Sequence, residues 1–344
     1  MRVRGLLLII ILIGTIAAAG QAPSAPGPPV SFRSGTRIVE VILSATTPPK
    51  RWALHDRIHP PVRDLQAADL RVFDNGVEQG IASFEKIGGA MRPHNGVSIA
   101  GEETGAQQAQ ESIIVMFDSL NTGRRDQFIS HDEISKLFDR LPRETRFALL
   151  GMDDYFRVLH DFSSDREALR ASIRKYEWDY VLSAFDAGET SYPMMDGLTR
   201  MAKSVDALKQ VARLARNVRG RKNVLWMSSG FSLAMFHGEV MKAVRELVAA
   251  NVALYPIDPA GLLPGDTDGS IELAALTGGK AFSGSNDVTG MAVAALKSVA
   301  DGYVLTFAPT GYREDGSFHE LRVETSRRNV ELHYRIGYVA DPSK

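Results

Sequence analysis

The apolar run Ile113-Ile114-Val115-Met116-Phe117 ends in Asp118 and passes at once into Ser119-Leu120-Asn121-Thr122-Gly123. A carboxylate, hydroxyls and an amide so close together are hard oxygen donors, the type that a divalent cation such as Mg²⁺ or Ca²⁺ takes. The same residue types also shape loops, because Asp and Asn side chains hydrogen-bond nearby backbone groups and fix a strand-to-helix turn. Both readings put Asp118 at the carboxyl end of a buried strand, where open α/β sheets bind their ligands. Ser228-Ser229-Gly230 follows a second apolar run, Val224-Leu225-Trp226-Met227, but lacks the Gly-x-Ser-x-Gly elbow that presents a hydrolase serine.

Other candidate chemistry is sparse. The eight histidines are scattered, with no His-Glu-x-x-His spacing. Gly278-Gly279-Lys280 follows a helical pattern and reads as a helix stop, not a phosphate loop. Asp266-Thr267-Asp268-Gly269 lacks the glutamate of a calcium loop and reads as a solvated turn. Asp153-Asp154 reads as an exposed hairpin turn, and Arg219, Arg221 and Lys222 as cations closing a helix. Trp226 reads as core, whereas Trp52 and Trp178 sit in irregular segments and are candidate surface anchors.

The elements that position these residues follow from periodicity. Between residues 112 and 300 strand and helix patterns alternate, and Leu198, Met201, Val205, Leu208, Val211, Ala212 and Ala215 form one apolar stripe. Such alternation predicts a doubly wound, mostly parallel α/β sheet. Residues 36–87 and 301–344 are β-patterned, with a tight-turn signal at Asp74-Asn75-Gly76. The economical arrangement pairs these two segments into a small β-sandwich, with the α/β domain inserted between them or flanked by them. Residues 88–111 lose all periodicity and read as a linker loop.

Composition narrows the function classes. A formal net charge of −1 with interspersed signs does not favour nucleic acid or an anionic membrane as partner. With 44% hydrophobic residues the chain can build a sizeable core. Arg2 and Arg4 precede an apolar run from Leu6 to Ile16 and then small residues, Ala17-Ala18-Ala19-Gly20-Gln21-Ala22. This is the pattern of a secretory signal peptide over residues 1–20, too short for a membrane span, with a Pro-, Gly- and Ser-rich leader over 21–35. The expectation is export to the periplasm or beyond, with no stable membrane span after cleavage. The absence of cysteine excludes disulfides, so the core alone must hold the exported protein.

Several segments together carry a resemblance. They are Ala68-Asp69-Leu70-Arg71-Val72-Phe73-Asp74-Asn75-Gly76, Phe117 to Thr122, Gly220 to Phe231, Leu276-Thr277-Gly278-Gly279-Lys280-Ala281-Phe282 and Arg335-Ile336-Gly337-Tyr338. In these the chain resembles the von Willebrand factor A-related proteins abundant in Acidobacteria. The resemblance covers nearly the whole mature chain and implies export, an A-domain fold and a β-sandwich companion, but no assigned reaction. The A-domain pattern Asp-x-Ser-x-Ser holds a divalent cation. By position Asp118 matches its first ligand and Thr122 its third, while Ser119 is off the pattern and Leu120 cannot ligate. Ser229 stands where a later acid is expected, Thr190 or Ser191 would supply a loop hydroxyl, and Asn121 an amide oxygen. The resulting expectation is a non-enzymatic protein-binding or scaffold protein without a cofactor. Its binding edge would comprise Asp118, Ser119, Asn121, Thr122, Thr190, Ser191 and Ser229, and its adhesion site would be degenerate. The alternatives are an Mg²⁺- or Ca²⁺-dependent adhesion domain using Asp118 and Thr122, and an extracytoplasmic hydrolase.

Overall fold

Alternating apolar positions in Arg37-Ile38-Val39-Glu40-Val41-Ile42-Leu43 build the first strand, β1 (Arg37–Thr46), of a computed structural model of the chain. The structure describes residues 37–48, 60–87, 97–99, 112–153, 155–176, 194–218, 220–230, 237–263, 265 and 267–340. The signal and leader segments, Trp52, Trp178, Thr190 and Ser191 lie outside those residues. After β1 come β2 (Leu70–Asp74), β3 (Val77–Gln79) and β4 (Ile81–Lys86). Asn75 and Gly76 adopt positive φ, 46° and 80°, and close the β2–β3 hairpin as their types predict. The run from Val77 to Phe84 is not one strand. It breaks at Gly80, and β3 pairs with β2 whereas β4 joins a different sheet. Within the segment expected to be a linker, β5 (Val97–Ile99) pairs with the start of β1.

The α/β part follows as β6 (Ser112–Asp118), α1 (Arg124–Arg140), β7 (Arg146–Met152), β8 (Phe156–Ser163), α2 (Arg166–Lys175) and α3 (Met194–Ala215). It continues through β9 (Lys222–Met227), α4 (His237–Ala249), β10 (Val252–Ile257), α5 (Asp268–Thr277) and α6 (Val288–Ala300). The sheet order is β10-β9-β6-β7-β8, parallel except for β8, which runs antiparallel to β7. One face packs on α3, α4 and α5 through Met116, Leu150, Trp226 and Leu254. The other packs on α1, α2 and α6 through Val115, Phe117, Leu149 and Tyr255. The sheet is therefore buried on both faces, which is why its strands read as unbroken apolar runs. The chain leaves β6 toward β7 but leaves β9 toward β10, on opposite sides. This makes the carboxyl ends of the adjacent strands β6 and β9 the topological switch point of the sheet.

Two helices are easily overlooked in the sequence. The side chain of Asp165 accepts hydrogen bonds from the Glu167 and Ala168 amides and caps α2. That of Asp287 accepts from the Gly290 amide and caps α6. The chain closes with β11 (Tyr303–Phe307), β12 (Phe318–Thr325), β13 (Glu331–His333) and β14 (Gly337–Val339). Strands from the two ends of the chain pair antiparallel: β1 with β11, β11 with β4, and β2 with β12. Two antiparallel sheets result, and Val39, Val41, Leu43, Val72, Leu305, Phe307, Leu321 and Val323 share one core between them.

α5 ends at Gly278 in the left-handed region, φ 78°, as the helix-stop reading requires. Arg221 and Lys222 do not close a helix: α3 already ends at Ala215, and Lys222 begins β9. The Arg221 Nη2 instead donates to the Gly278 carbonyl at 2.7 Å, and the Lys222 Nζ donates to the Val218 carbonyl at 2.8 Å. Among the described residues no helix is long and apolar enough to cross a membrane.

Candidate functional site

Asp118 ends β6 with only 2% of its surface exposed. The parallel register pairs Met116 with Trp226 and Phe117 with Met227, which sets Ser228 beside Asp118. Five donor groups converge on the carboxylate. Oδ1 accepts from the Leu120 amide at 3.1 Å, the Asn121 amide at 2.9 Å and the Asn121 Nδ2 at 3.1 Å. Oδ2 accepts from the Asn121 Nδ2 at 2.9 Å, the Trp226 Nε1 at 3.2 Å and the Ser228 Oγ at 2.7 Å. The Asn121 Nδ2 also reaches the Ser204 Oγ on α3 at 2.9 Å. A flipped Asn121 amide would set its oxygen against the carboxylate, so its orientation is dictated by charge.

The surrounding loop is held as tightly. The Ser119 amide donates to the Met152 carbonyl at the end of β7, at 2.8 Å. The Gln127 Nε2 donates to the carbonyls of Ser119 at 3.0 Å and Thr122 at 2.6 Å, tying the loop to the first turn of α1. Thr122 Oγ1 accepts from the Ser229 amide at 3.2 Å, and Ser228 Oγ from the Gly230 amide at 3.1 Å. Of the residues expected at this edge, Asp118, Ser119, Asn121 and Thr122 are thus brought together, and all four are buried. Ser229 joins them through its backbone and is partly exposed. Ser204, Gln127, Trp226 and Ser228 are partners that a local reading of the Asp118 loop does not reveal. Ser204 left one trace, a polar residue inside the apolar stripe of α3.

Neighbouring strands repeat the device of an acid that caps its own loop. Asp153, after β7, is not exposed as expected but buried. Its Oδ1 accepts from the Tyr155 amide at 2.8 Å, and Oδ2 pairs with the Arg157 Nε at 3.1 Å. Asp258, after β10, accepts from the Ala260 amide at 2.9 Å and the Gly265 amide at 3.0 Å. That second loop leans on the Asp118 site. A Cβ at Gly265 would meet the Ser229 carbonyl, so only glycine permits this approach. The tip of the loop carries Leu262 and Leu263, 67% and 86% exposed.

These surroundings do not fit a divalent cation at Asp118. A ligating carboxylate must turn a lone pair to the ion. Here both oxygens face N–H and O–H donors, whose positive ends repel a cation, and Leu120 is buried with nothing to offer. Among the described residues no group of His, Asp and Glu gathers where it would hold a metal. The serine is no better placed for hydrolysis: Ser228 Oγ gives its proton to Asp118, and both residues are sealed from solvent.

Burial without a countercharge pushes the Asp118 carboxyl up to about 6, although the Asn121, Ser228 and Trp226 donors oppose the rise. Between the ordinary value of 3.8 and about 6 the folded chain binds a proton that the unfolded chain does not. This group therefore makes stability fall as pH rises through that window and stay level above it. Urea unfolding of the wild type and of Asp118→Asn from pH 4 to pH 7 checks this. The difference in stability between the two proteins is expected to change by about 2–3 kcal/mol across the window. A constant difference would mean that Asp118 does not titrate there.

No family model matches the chain, and no curated protein matches it. Similar solved structures include a von Willebrand factor type A protein from Catenulispora acidiphila, at 9% identity and a TM-score of 0.40. That match covers 90% of this chain and 65% of the other. An aerotolerance-related membrane protein from Bacteroides fragilis is similar at 10% identity and a TM-score of 0.39, over 55% of this chain and 98% of the other. Proximal thread matrix protein 1 from the mussel byssus, with a zinc-occupied MIDAS motif, is similar at 14% identity and a TM-score of 0.37. It is matched over 56% of this chain and 47% of the other. Likenesses of this degree concern overall arrangement and assign no residue here. The architecture itself, a mostly parallel α/β sheet with flanking antiparallel sheets, is consistent with the von Willebrand factor A type.

Proposed function

We propose that the chain is an exported, non-enzymatic binding or scaffold protein of the von Willebrand factor A-related type found in Acidobacteria. It recognises a protein partner at the carboxyl edge of its central sheet, through an adhesion site that has lost its metal chemistry. The observation that carries this reading is the donor shell of Asp118. A carboxylate that accepts from five donor groups and is closed to solvent has no capacity left to ligate an ion or activate a nucleophile. It serves instead to lock the edge into one shape. What that edge offers to a partner is the loop braced against Ser229, with Leu262 and Leu263 turned outward. Exposed apolar side chains on a loop braced beside the switch point suit protein recognition.

The test compares capture from envelope extract by the mature chain and by a Leu262→Ser/Leu263→Ser variant, each with and without EDTA. The expected result is a partner retained by the wild type in either buffer and lost with the double variant. A partner released by EDTA would favour the cation-dependent alternative. Equal capture by the two proteins would remove the loop from the binding surface.

A further inference from the structure

The central sheet has two outer strands, and the chain protects only one of them. Along β10 it returns at Phe282, whose amide donates to the Pro256 carbonyl at 2.8 Å and whose carbonyl accepts from the Asp258 amide at 2.9 Å. Along β8 no further strand pairs among the described residues, although its eight residues make it the longest strand of the sheet. An open edge of this length is a template for another strand. The outer strands of the antiparallel sheets are blunted instead: β3, β13 and β14 have three residues each, and β4 ends in the exposed Glu85 and Lys86.

β8 is also apolar where it is open. Val158 is 53% exposed, and Tyr155, just ahead of the strand, is 72% exposed. Phe156 and Phe162 pack on the α3 side of the sheet yet stay partly exposed. A cleft of about 300 Å³ between Tyr155 and Phe156 and the α3 residues Ala202 and Gln210 leaves that side uncovered. The strand complements itself in sequence. Turned antiparallel about Leu159, it sets Phe156 opposite Phe162, Arg157 opposite Asp161 and Val158 opposite His160. Asp161 is exposed; its Oδ1 accepts from the Phe162 amide at 2.7 Å, and its Oδ2 accepts from no described donor. Arg157 pairs its Nε with Asp153 and keeps part of its side chain exposed. A guanidinium has five N–H donors, enough for Asp153 and a second carboxylate.

We propose that a second copy of this chain binds along β8, strand to strand and antiparallel about a two-fold axis at Leu159, so that two five-stranded sheets become one. Each half of the interface repeats the other, with Phe156 against Phe162 and Arg157 against Asp161. Opposite charges and aromatic rings directly across the strands favour this register over a slipped one. The slip of β8 against β7 between Val158 and His160 lies on the axis, where both copies bend alike.

Sedimentation velocity of the mature chain over the micromolar range tests this, with Val158→Asp, Arg157→Glu and Asp161→Arg alongside the wild type. The wild type is expected to sediment as a dimer and Val158→Asp as a monomer with unchanged far-UV circular dichroism. Each charge variant sets like charges opposite one another in its own dimer, and its dimer dissociation constant is expected to rise roughly tenfold or more. An equimolar mixture of Arg157→Glu and Asp161→Arg is expected to dimerise again, because in the mixed pair every acid faces an arginine. A wild type that stays monomeric would overturn the proposal, as would a dimer that Val158→Asp leaves intact. A mixture no tighter than its components would refute the register and the proposal with it. If Arg157→Glu does not fold, because Asp153 loses its partner, Val158→Asp and Asp161→Arg decide by themselves.

Discussion

Asp118→Ala is expected to lower the stability of the chain by about 3–5 kcal/mol, a large loss for one substitution. The deleted carboxylate is the acceptor of the Leu120 and Asn121 amides, the Asn121 carboxamide, the Trp226 indole and the Ser228 hydroxyl. Of these, the Ser228 hydroxyl and the Asn121 side chain can turn toward other acceptors. The two backbone amides and the Trp226 indole cannot, because the bonds of Ser119 and Gln127 hold the loop and the packing of β9 holds Trp226. Each buried donor left unpaired costs about 1–3 kcal/mol. The loss is moderated at neutral pH because the variant no longer buries a charge. Asp118→Asn keeps one acceptor oxygen and is expected to lose less than half as much. Urea unfolding at constant m reads both values. A loss below about 1 kcal/mol for Asp118→Ala would show that the donors find water or other partners.

Gly279→Ala is expected to cost about 2–4 kcal/mol for the addition of one methyl group. Its Cβ would fall against the backbone of Leu254 in β10, meeting the carbonyl oxygen and lying 2.7 Å from the carbonyl carbon. Strand backbone cannot move aside as a flexible side chain would. The same corner is bound from several directions: Leu254 donates its amide to Thr277 Oγ1 at 3.1 Å, and the Ile336 amide donates to the Leu276 carbonyl at 3.1 Å. Pushing α5 off β10 therefore also strains the contact between the α/β part and the β13–β14 connection. Gly197→Ala is the control, since nothing lies within 4 Å of a Cβ there and the residue is inside α3. It is expected to be neutral or to stabilise by up to about 1 kcal/mol. Equal effects at the two glycines would refute the packing argument.

Much of the fold was legible because the sheet is buried on both faces. That burial demands unbroken apolar strands, and Ile113–Phe117, Val224–Met227 and Val252–Ile257 display them without ambiguity. The helix stop at Gly278 and the hairpin turn at Asn75-Gly76 were legible because positive φ restricts residue choice. Less legible was the strand that changes sheets at Gly80, since both sheets draw on the same alternating pattern. α2 and α6 were hidden because their signals, Asp165 and Asp287 as caps, are brief and common. The burial of Asp153 was hidden too, because Arg157 and the Tyr155 amide that satisfy it are placed by the β7–β8 hairpin and not by the Asp-Asp pair.

By itself, the sequence determined that an acid would stand at the carboxyl end of β6, that Leu120 would break the expected run of oxygen ligands, and that strands would alternate with helices around that point. That Asp118 turns both oxygens to its own loop, Trp226 and Ser228 was decided only by the tertiary structure. The deciding groups are remote in the chain: Ser204 lies 83 residues from Asn121, and Trp226 and Ser228 lie 108 and 110 residues from Asp118. Local propensity cannot specify such partners. They meet Asp118 because sheet register sets β9 beside β6 and because α3 lays its one buried serine over the same spot.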